Sequence, residues 1–181
     1  MGSVFVFDEV DGYDRVEKIR NANRMPDGAH FVASVTGKWK VFSIVDYEDL
    51  TDLAGKVEGL TGGGGGGDPE TAPVFDRLFS QVKRSVYASQ MAFVRIDVDE
   101  DVEDPRTLLA DIQAAIGSDE VDPVVGSFDI LACPVADDEG SLGQLIRNIR
   151  AVDGVTATNS LRVIDFVSES EDAPDGHRIG G

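Results

Sequence analysis

Two stretches of the chain repeat one order of hydrophobic periodicities, and a run of six glycines, Gly62 to Gly67, lies between them. No helix or strand survives so much backbone entropy, so the run and the Asp68-Pro69 after it read as a linker. A phosphate-cradling loop is excluded, because no Lys-Ser or Lys-Thr follows and the segment before reads as helix rather than strand. Downstream, Ala92, Val94, Ile96 and Val98 alternate with Phe93, Arg95 and Asp97 and predict a half-buried strand. Asp104 as N-cap and Pro105 as first helical residue open a helix, with Leu108, Leu109, Ile112, Ala115 and Ile116 on one face and Gly117 as its stop. Strands over about 121–125 and 128–135 flank Gly126-Ser127, which reads as a tight hairpin turn. Ser141 caps a second helix with Leu142, Leu145, Ile146, Ile149 and Val152 inward, Asp153-Gly154 ends it, and a last strand covers about 156–167.

That order, β-α-β-β-α-β, is the split βαβ or ferredoxin-like unit, with two helices on one face of a four-stranded antiparallel sheet. Its other face needs a cover, usually a second sheet. The first half supplies a candidate: a strand at Ser3 to Phe7, a helix from Tyr13 to Arg24 with Val16 and Ile19 inward, and an alternating strand at Phe31, Ala33 and Val35. A turn at Gly37-Lys38 leads to a strand with Trp39, Val41 and Val45, and Leu50, Leu53, Ala54, Val57 and Leu60 form a helix face. The repeat breaks where its fourth strand should stand: after the glycines, an apolar stripe (Val74, Phe75, Leu78, Phe79, Val82, Val86) predicts an extra helix from about Pro73 to Tyr87. The expected fold class is α+β, two ferredoxin-like units in tandem. The expected boundaries are 1–61 for a degenerate first unit, 62–72 for the linker, 73–90 for the extra helix, 91–167 for the second unit and 168–181 for a disordered acidic tail.

Charge narrows the function classes. Of 181 residues, 34 are acidic and 16 basic, for a formal charge of -18, which disfavours nucleic acid and anionic membrane surfaces as partners. Asp outnumbers Glu 23 to 11 and Lys numbers only five, a balance that suits either a high-salt cytoplasm or an acidic protein of a GC-rich genome. No run approaches 18 apolar residues and the N-terminus lacks a basic leader, so neither a membrane span nor a signal peptide is expected. The single Cys133, among Ile130, Leu131, Ala132, Pro134 and Val135, reads as a core residue in a reducing cytoplasm. His30 and His177 are the only histidines, so zinc or haem ligation has little material, and no cofactor or metal is expected. The carboxylates of Asp97, Asp99, Glu100, Asp101, Glu103 and Asp104 lack the spacing and central glycine of a calcium loop and read as a solvated edge. No nucleophile motif occurs.

The string Val124-Val125-Gly126-Ser127-Phe128-Asp129-Ile130-Leu131, the helix with Leu142, Leu145 and Ile146, and Asp153-Gly154-Val155-Thr156-Ala157-Thr158 resemble the effector-binding domain of the Lrp/AsnC, or feast-or-famine, regulators. The similarity covers roughly residues 91–167. Val35-Thr36-Gly37-Lys38-Trp39-Lys40 and Glu58-Gly59-Leu60-Thr61 resemble it more distantly. The resemblance implies a dimeric α/β-barrel, here formed within one chain by the two units, with a small amino-acid-like effector bound near the interface. The family's helix-turn-helix is not expected ahead of the first unit, since residue 3 already opens a strand. An amino-acid pocket needs N–H groups for the ligand carboxylate and an acid for its ammonium. Gly126, Ser127 and Phe128 at the turn, Asp129, and Thr156 and Thr158 on the last strand are the candidates, with Thr36, Gly37 and Trp39 their first-unit counterparts. Each also has a structural reading: Gly126 as a turn residue, Asp129 as a partner for nearby backbone, the threonines as strand formers.

The function expected is a stand-alone effector-binding regulator that acts through a protein partner or a further copy paired along its sheet edges. The rival readings are an enzyme, because tandem ferredoxin-like barrels host small monooxygenases and haem-dependent oxidoreductases and Trp39, Tyr47 and His30 suit an aromatic substrate, and an assembly scaffold. A terminal Gly180-Gly181 also resembles the conjugation end of ubiquitin-like modifiers.

Overall fold

The computed structural model describes residues 2–61, 69–74, 90–171 and 173–179. The chain divides into two compact units, the first built from residues up to Pro73 and from Val163 onward, the second mainly from Val86 to Arg162.

In the first unit β1 (Gly2–Asp8), α1 (Gly12–Ala22), β2 (Ala29–Val35), β3 (Val41–Tyr47), α2 (Leu50–Thr61) and β4 (Glu70–Pro73) follow in order. The sheet runs β4-β1-β3-β2, wholly antiparallel, with residues 163–168 bordering β2 on its other side. This is a complete ferredoxin-like unit. The fourth strand that the sequence reading found missing is β4, which pairs with β1 from Val4 opposite Pro73 to Phe7 opposite Glu70. Four residues ending in a proline carry no readable alternation, and proline is tolerated there because β4 lies at the sheet edge. Pro73 therefore ends a strand instead of starting the expected helix; the rest of that helix and the glycine run lie outside the described residues.

The Asp11 carboxylate accepts the N–H groups of Tyr13 and Asp14 and caps α1, whose end at Asn23 turns left-handed with φ 47°. Val16, Ile19 and Leu60 from the helices pack on Val4, Val6, Val32, Val41 and Val45 of the sheet. The opposite sheet face is aromatic and also buried. Its rings form a row: Phe166 on Phe31 at 5.5 Å, Phe31 on Phe42 at 6.3 Å, Phe42 on Phe7 at 5.3 Å and Phe7 on Trp39 at 6.3 Å, with Phe5 beside Phe42 at 5.6 Å.

The second unit repeats the order with β5 (Gln90–Val98), α3 (Pro105–Ile116), β6 (Val121–Pro123), β7 (Ile130–Ala132), α4 (Glu139–Arg150) and the Val155–Arg162 part of a strand that runs to Ser168; a short extra strand, Val135–Ala136, pairs with the start of β5. That last strand, β5, β7 and β6 lie side by side in that order, again antiparallel. Leu108, Ile112, Ile116, Leu142 and Ile149 cover Ala92, Val94, Ile96, Ile130 and Ala132, and Cys133 is buried. Asp104, Pro105 and Gly117 stand at the cap, first turn and left-handed end of α3 as the sequence predicts. The cap of α4 is Asp138, not Ser141, because α4 begins at Glu139 and Ser141 donates both its N–H and its hydroxyl to the Asp138 carboxylate. The expected two-residue turn at Gly126-Ser127 is a wider loop closed by the Val124 N–H on the Asp129 carbonyl at 2.9 Å. Phe128 leaves the strand alternation to become buried, which shortens both flanking strands to three residues.

The tail is the largest departure. Residues 169–171 and 173–179 fold back along the first unit, with the Ile179 side chain 3% exposed in its core. Their polar composition hides a few well-placed apolar groups, Ala173 and Ile179, and backbone hydrogen bonds to Ser168.

Two predictions follow from packing and capping. Phe42→Ala empties the centre of the ring row and should cost about 3–5 kcal/mol in urea unfolding. The Thr107 hydroxyl and Arg106 N–H hold the Asp104 carboxyl below its ordinary pKa, and the Ser141 hydroxyl and N–H do the same for Asp138. A lowered folded pKa gives stability that is present above the ordinary value near 4 and is lost as pH falls through the folded value. The double variant Asp104→Asn, Asp138→Asn should therefore show a shallower fall of melting temperature below pH 4 than the wild type.

Candidate functional site

The antiparallel register of β1 with β3 sets Ser3 opposite Asp46, and the Ser3 hydroxyl donates to the Asp46 carboxylate at 2.5 Å. Between Ala29 and Phe31 the β2–β3 ladder shifts register, so His30 is the bulged residue, and bulges re-aim side chains. The His30 Nδ1 comes within 3.9 Å of the second Asp46 oxygen. Its side chain is 13% exposed and its Nε2 is out of contact with solvent. Ser3, Asp46 and His30 thus form a polar cluster at one end of the first sheet.

A cavity of about 430 Å³ opens on this cluster, lined among others by Arg24, Met25, Tyr47, Lys56 and Glu169. Gly28 shapes it: its N–H side of the chain turns with φ 72°, its carbonyl accepts the Asp46 N–H at 2.9 Å, and a Cβ there would collide with the Asp46 carbonyl and the Lys56 side chain. Lys56 donates to the Asp46 carbonyl at 3.1 Å and to the Asp52 carboxylate at 2.8 Å. The bond to Asp52 raises the lysine's pKa, and Lys56 reciprocally lowers that of Asp52, so both stay charged through the neutral range. Chemically the cluster offers an imidazole steadied by a carboxylate, which can donate to a metal or move a proton, next to two cations that suit carboxylate groups.

The residues singled out from sequence lie elsewhere, and of them Asp129 and Thr156 meet on the Asp97–Val98 peptide. The Ser127 hydroxyl takes a hydrogen bond from Arg95 at 2.7 Å, and the Arg95 guanidinium lies 4.5 Å over the Phe128 ring. The Asp129 carboxylate accepts the Val98 N–H at 2.9 Å, and the Thr156 hydroxyl donates to the Asp97 carbonyl at 3.0 Å. Both polar groups of the Asp97–Val98 peptide, at a register shift in β5, are thereby satisfied by side chains. Thr158 instead accepts from Arg150 of α4 at 2.7 Å, and Gly126 is an exposed loop residue outside the left-handed region. In the first unit Gly37 makes the β2–β3 turn with φ 103°, Thr36 is exposed beside it, and Trp39 is buried under Lys38 and against Phe7. Trp39 belongs to the Asp8 end of β1 and Tyr47 to the Gly2 end, about 20 Å apart at 3.4 Å per residue.

Ser3, Arg24, Asp46 and Lys56 escaped the sequence reading. Only a register that pairs Ser3 with Asp46 reveals them, and hydrophobic periodicity does not report register. His30 and Tyr47 carried a weak signal, a histidine and a tyrosine interrupting or ending apolar strands. Among the described residues no group of three or more His, Cys, Asp or Glu side chains is arranged to hold a metal ion, including the acidic groove of about 460 Å³ around Asp99, Asp104 and Asp153. No helix among the described residues is long and apolar enough to cross a membrane.

Residues 91–172 match the Lrp/AsnC ligand binding domain family, so the second unit is Lrp/AsnC-like. No curated protein matches the chain. Among solved structures, the siroheme decarboxylase NirDL, in complex with an iron-uroporphyrin III analogue, is similar over 91% of this chain and 71% of its own, with a TM-score of 0.62 and 12% identity. A chlorite dismutase variant from Candidatus Nitrospira defluvii is similar over 90% of this chain and 89% of its own, with a TM-score of 0.57 and 11% identity. The likeness supports the tandem ferredoxin-like fold across both units. It overturns the expectation of a stand-alone amino-acid effector regulator: a siroheme decarboxylase and a chlorite dismutase share this fold over nine-tenths of this chain.

Asp129→Ala should lower stability by about 1 kcal/mol in urea unfolding, because the Val98 N–H loses a charged acceptor. Asp129→Asn, which keeps a carbonyl acceptor in place, should recover part of that loss.

Proposed function

We propose that the chain is an enzyme acting on a carboxylate-bearing iron tetrapyrrole, with the cluster of His30, Asp46 and Ser3 as its site. The observation that carries the reading is the His30–Asp46 pair at the head of a cavity with two cations, in a fold shared with a siroheme decarboxylase. The donor set suits such a ligand. The His30 Nδ1 lies 3.9 Å from the Asp46 carboxylate, an electrostatic contact longer than a hydrogen bond. Lys56 and Arg24 provide positive charge for peripheral carboxylates, and Lys56 stays cationic because Asp52 holds its proton.

The roles of the chain's own groups follow from their surroundings. His30 lines the cavity, and its Nε2 lies where water does not reach. Asp46 lies beside the ring through one carboxylate oxygen, and Ser3, itself buried, holds the other by donating its hydroxyl. Lys56 ties the backbone of Asp46 to α2. Decarboxylation is the reaction class that the likeness to the siroheme decarboxylase brings to this reading.

Titration of the purified chain with iron-uroporphyrin III, followed by its Soret absorbance, tests the reading. Saturable binding is expected, weakened about 10- to 100-fold by His30→Ala and about 10-fold by Asp46→Asn. A spectrum unchanged by the protein, or a His30→Ala variant that binds as the wild type does, sinks it.

A further inference from the structure

The polar C-terminal segment is ordered at an entropic cost of about 1–2 kcal/mol per residue, and its contacts converge on one strand position. The Ser168 N–H donates to the His177 carbonyl at 2.8 Å and the Ile179 N–H to the Ser168 carbonyl at 2.9 Å, a parallel bridge that brings Arg178 beside Ser168. The His177 ring stacks on Phe166 at 4.3 Å, and its Nδ1 lies 2.9 Å from the Phe166 carbonyl. Arg20 of α1 reaches across to donate to the Gly176 carbonyl at 3.1 Å and to the Asp165 carboxylate at 2.7 Å. Where the segment leaves the strand, the Glu169 N–H, at 3.0 Å, and the Ser168 hydroxyl, at 3.3 Å, both donate to the His30 carbonyl.

We propose that residues 169–171 and 173–179 form a clip that positions His30, pinned by His177 against Phe166. His30 is a bulged residue, and a bulge leaves a strand position less constrained by the ladder on the β3 side. Two donors on its carbonyl fix its backbone from the other side, and the backbone sets where the imidazole meets Asp46. Ser168, the Glu169 amide and His177 are positioning groups: none touches the imidazole in the contacts described, and all act through the His30 main chain. Glu169 also lines the cavity, so the same segment forms part of the site's wall. The significance of the clip for catalysis rests on the reading of His30 given above, whereas the mechanical coupling does not.

The experiment compares the full-length wild type with His177→Ala, Ser168→Ala and Ser168→Thr. It reads amide hydrogen exchange at Glu169, the NMR resonances of the His30 ring at a fixed pH of about 7.5, and the affinity for iron-uroporphyrin III. Loss of one or two bonds of about 1 kcal/mol should speed Glu169 exchange by about 10-fold in His177→Ala. The His30 ring signals should shift in both His177→Ala and Ser168→Ala and return toward wild type in Ser168→Thr, which keeps the hydroxyl. Affinity should fall in step with those shifts. Variants that lower the melting temperature yet leave the His30 signals in place would show a merely structural tail and overturn the clip. Should His177→Ala fail to fold cooperatively, the Ser168→Ala and Ser168→Thr pair decides. If the wild type binds no iron-uroporphyrin III, the tetrapyrrole reading falls while the ring signals still settle whether the clip acts on His30.

Discussion

Seven residue pairs join β1 to β3, from Gly2 opposite Tyr47 to Asp8 opposite Val41, and the first unit depends on that register. It puts Val4 and Val6 with Val45 and Val41 under the helices, and it puts Phe5 and Phe7 with Ile44 and Phe42 on the aromatic face. The same pairing ends with Ser3 against Asp46. A slip of β1 by one residue would send Phe5 and Phe7 to the helix side and separate the serine from the carboxylate. Core and candidate site are therefore specified together, by one ladder, and a substitution that weakens the ladder harms both.

The two units share a topology and differ in what they spend their polar groups on. In the second, the side chains near the β5 irregularity repair the backbone: Asp129 and Thr156 take the two polar groups of one peptide, which in a sheet interruption would otherwise lose hydrogen bonds. In the first, the β2 irregularity is repaired by main chain from the tail, through the Glu169 N–H, and by the Ser168 hydroxyl. The His30 side chain stands near Asp46, its Nδ1 3.9 Å from the carboxylate.

Element types were legible in the sequence because they follow from local rules. The Asp104-Pro105 start and Gly117 stop of α3 are patterns of a few neighbouring residues and they hold, and β5 is the strand its alternation predicts, though buried on both faces over Met91 to Val94. β4 was illegible because four residues with a terminal proline give no period, and only pairing with β1 makes them a strand. The tail misled for a related reason. Composition averages over its acids and glycines, whereas order there depends on single long-range contacts: Ile179 in the core, His177 on Phe166, and Arg20 on Gly176 from 156 positions away. The site was partly legible. His30 and Tyr47 stood out as residue types, but Ser3, Asp46 and Lys56 acquire meaning only through register, and Asp129 had its structural role in view without evidence to prefer it.

Charge sets the last constraint on any ligand of the first unit. The chain carries a formal -18, so a polycarboxylate such as a uroporphyrin is repelled at a distance, and only near Arg24 and Lys56 does the local field favour it. The acids of the same cavity, Asp27, Glu48 and Glu169, oppose those cations. Salt screens over about 8–10 Å at physiological strength, which suppresses the long-range repulsion more than contacts made within 3–4 Å inside a partly enclosed site. Binding of an anionic tetrapyrrole to this chain should therefore strengthen as ionic strength rises, the reverse of what holds for a basic protein meeting the same ligand. The acidity of the surface and the two cations of the cavity, Arg24 and Lys56, then act in opposition, salt admitting the ligand and Lys56, held charged by Asp52, retaining it.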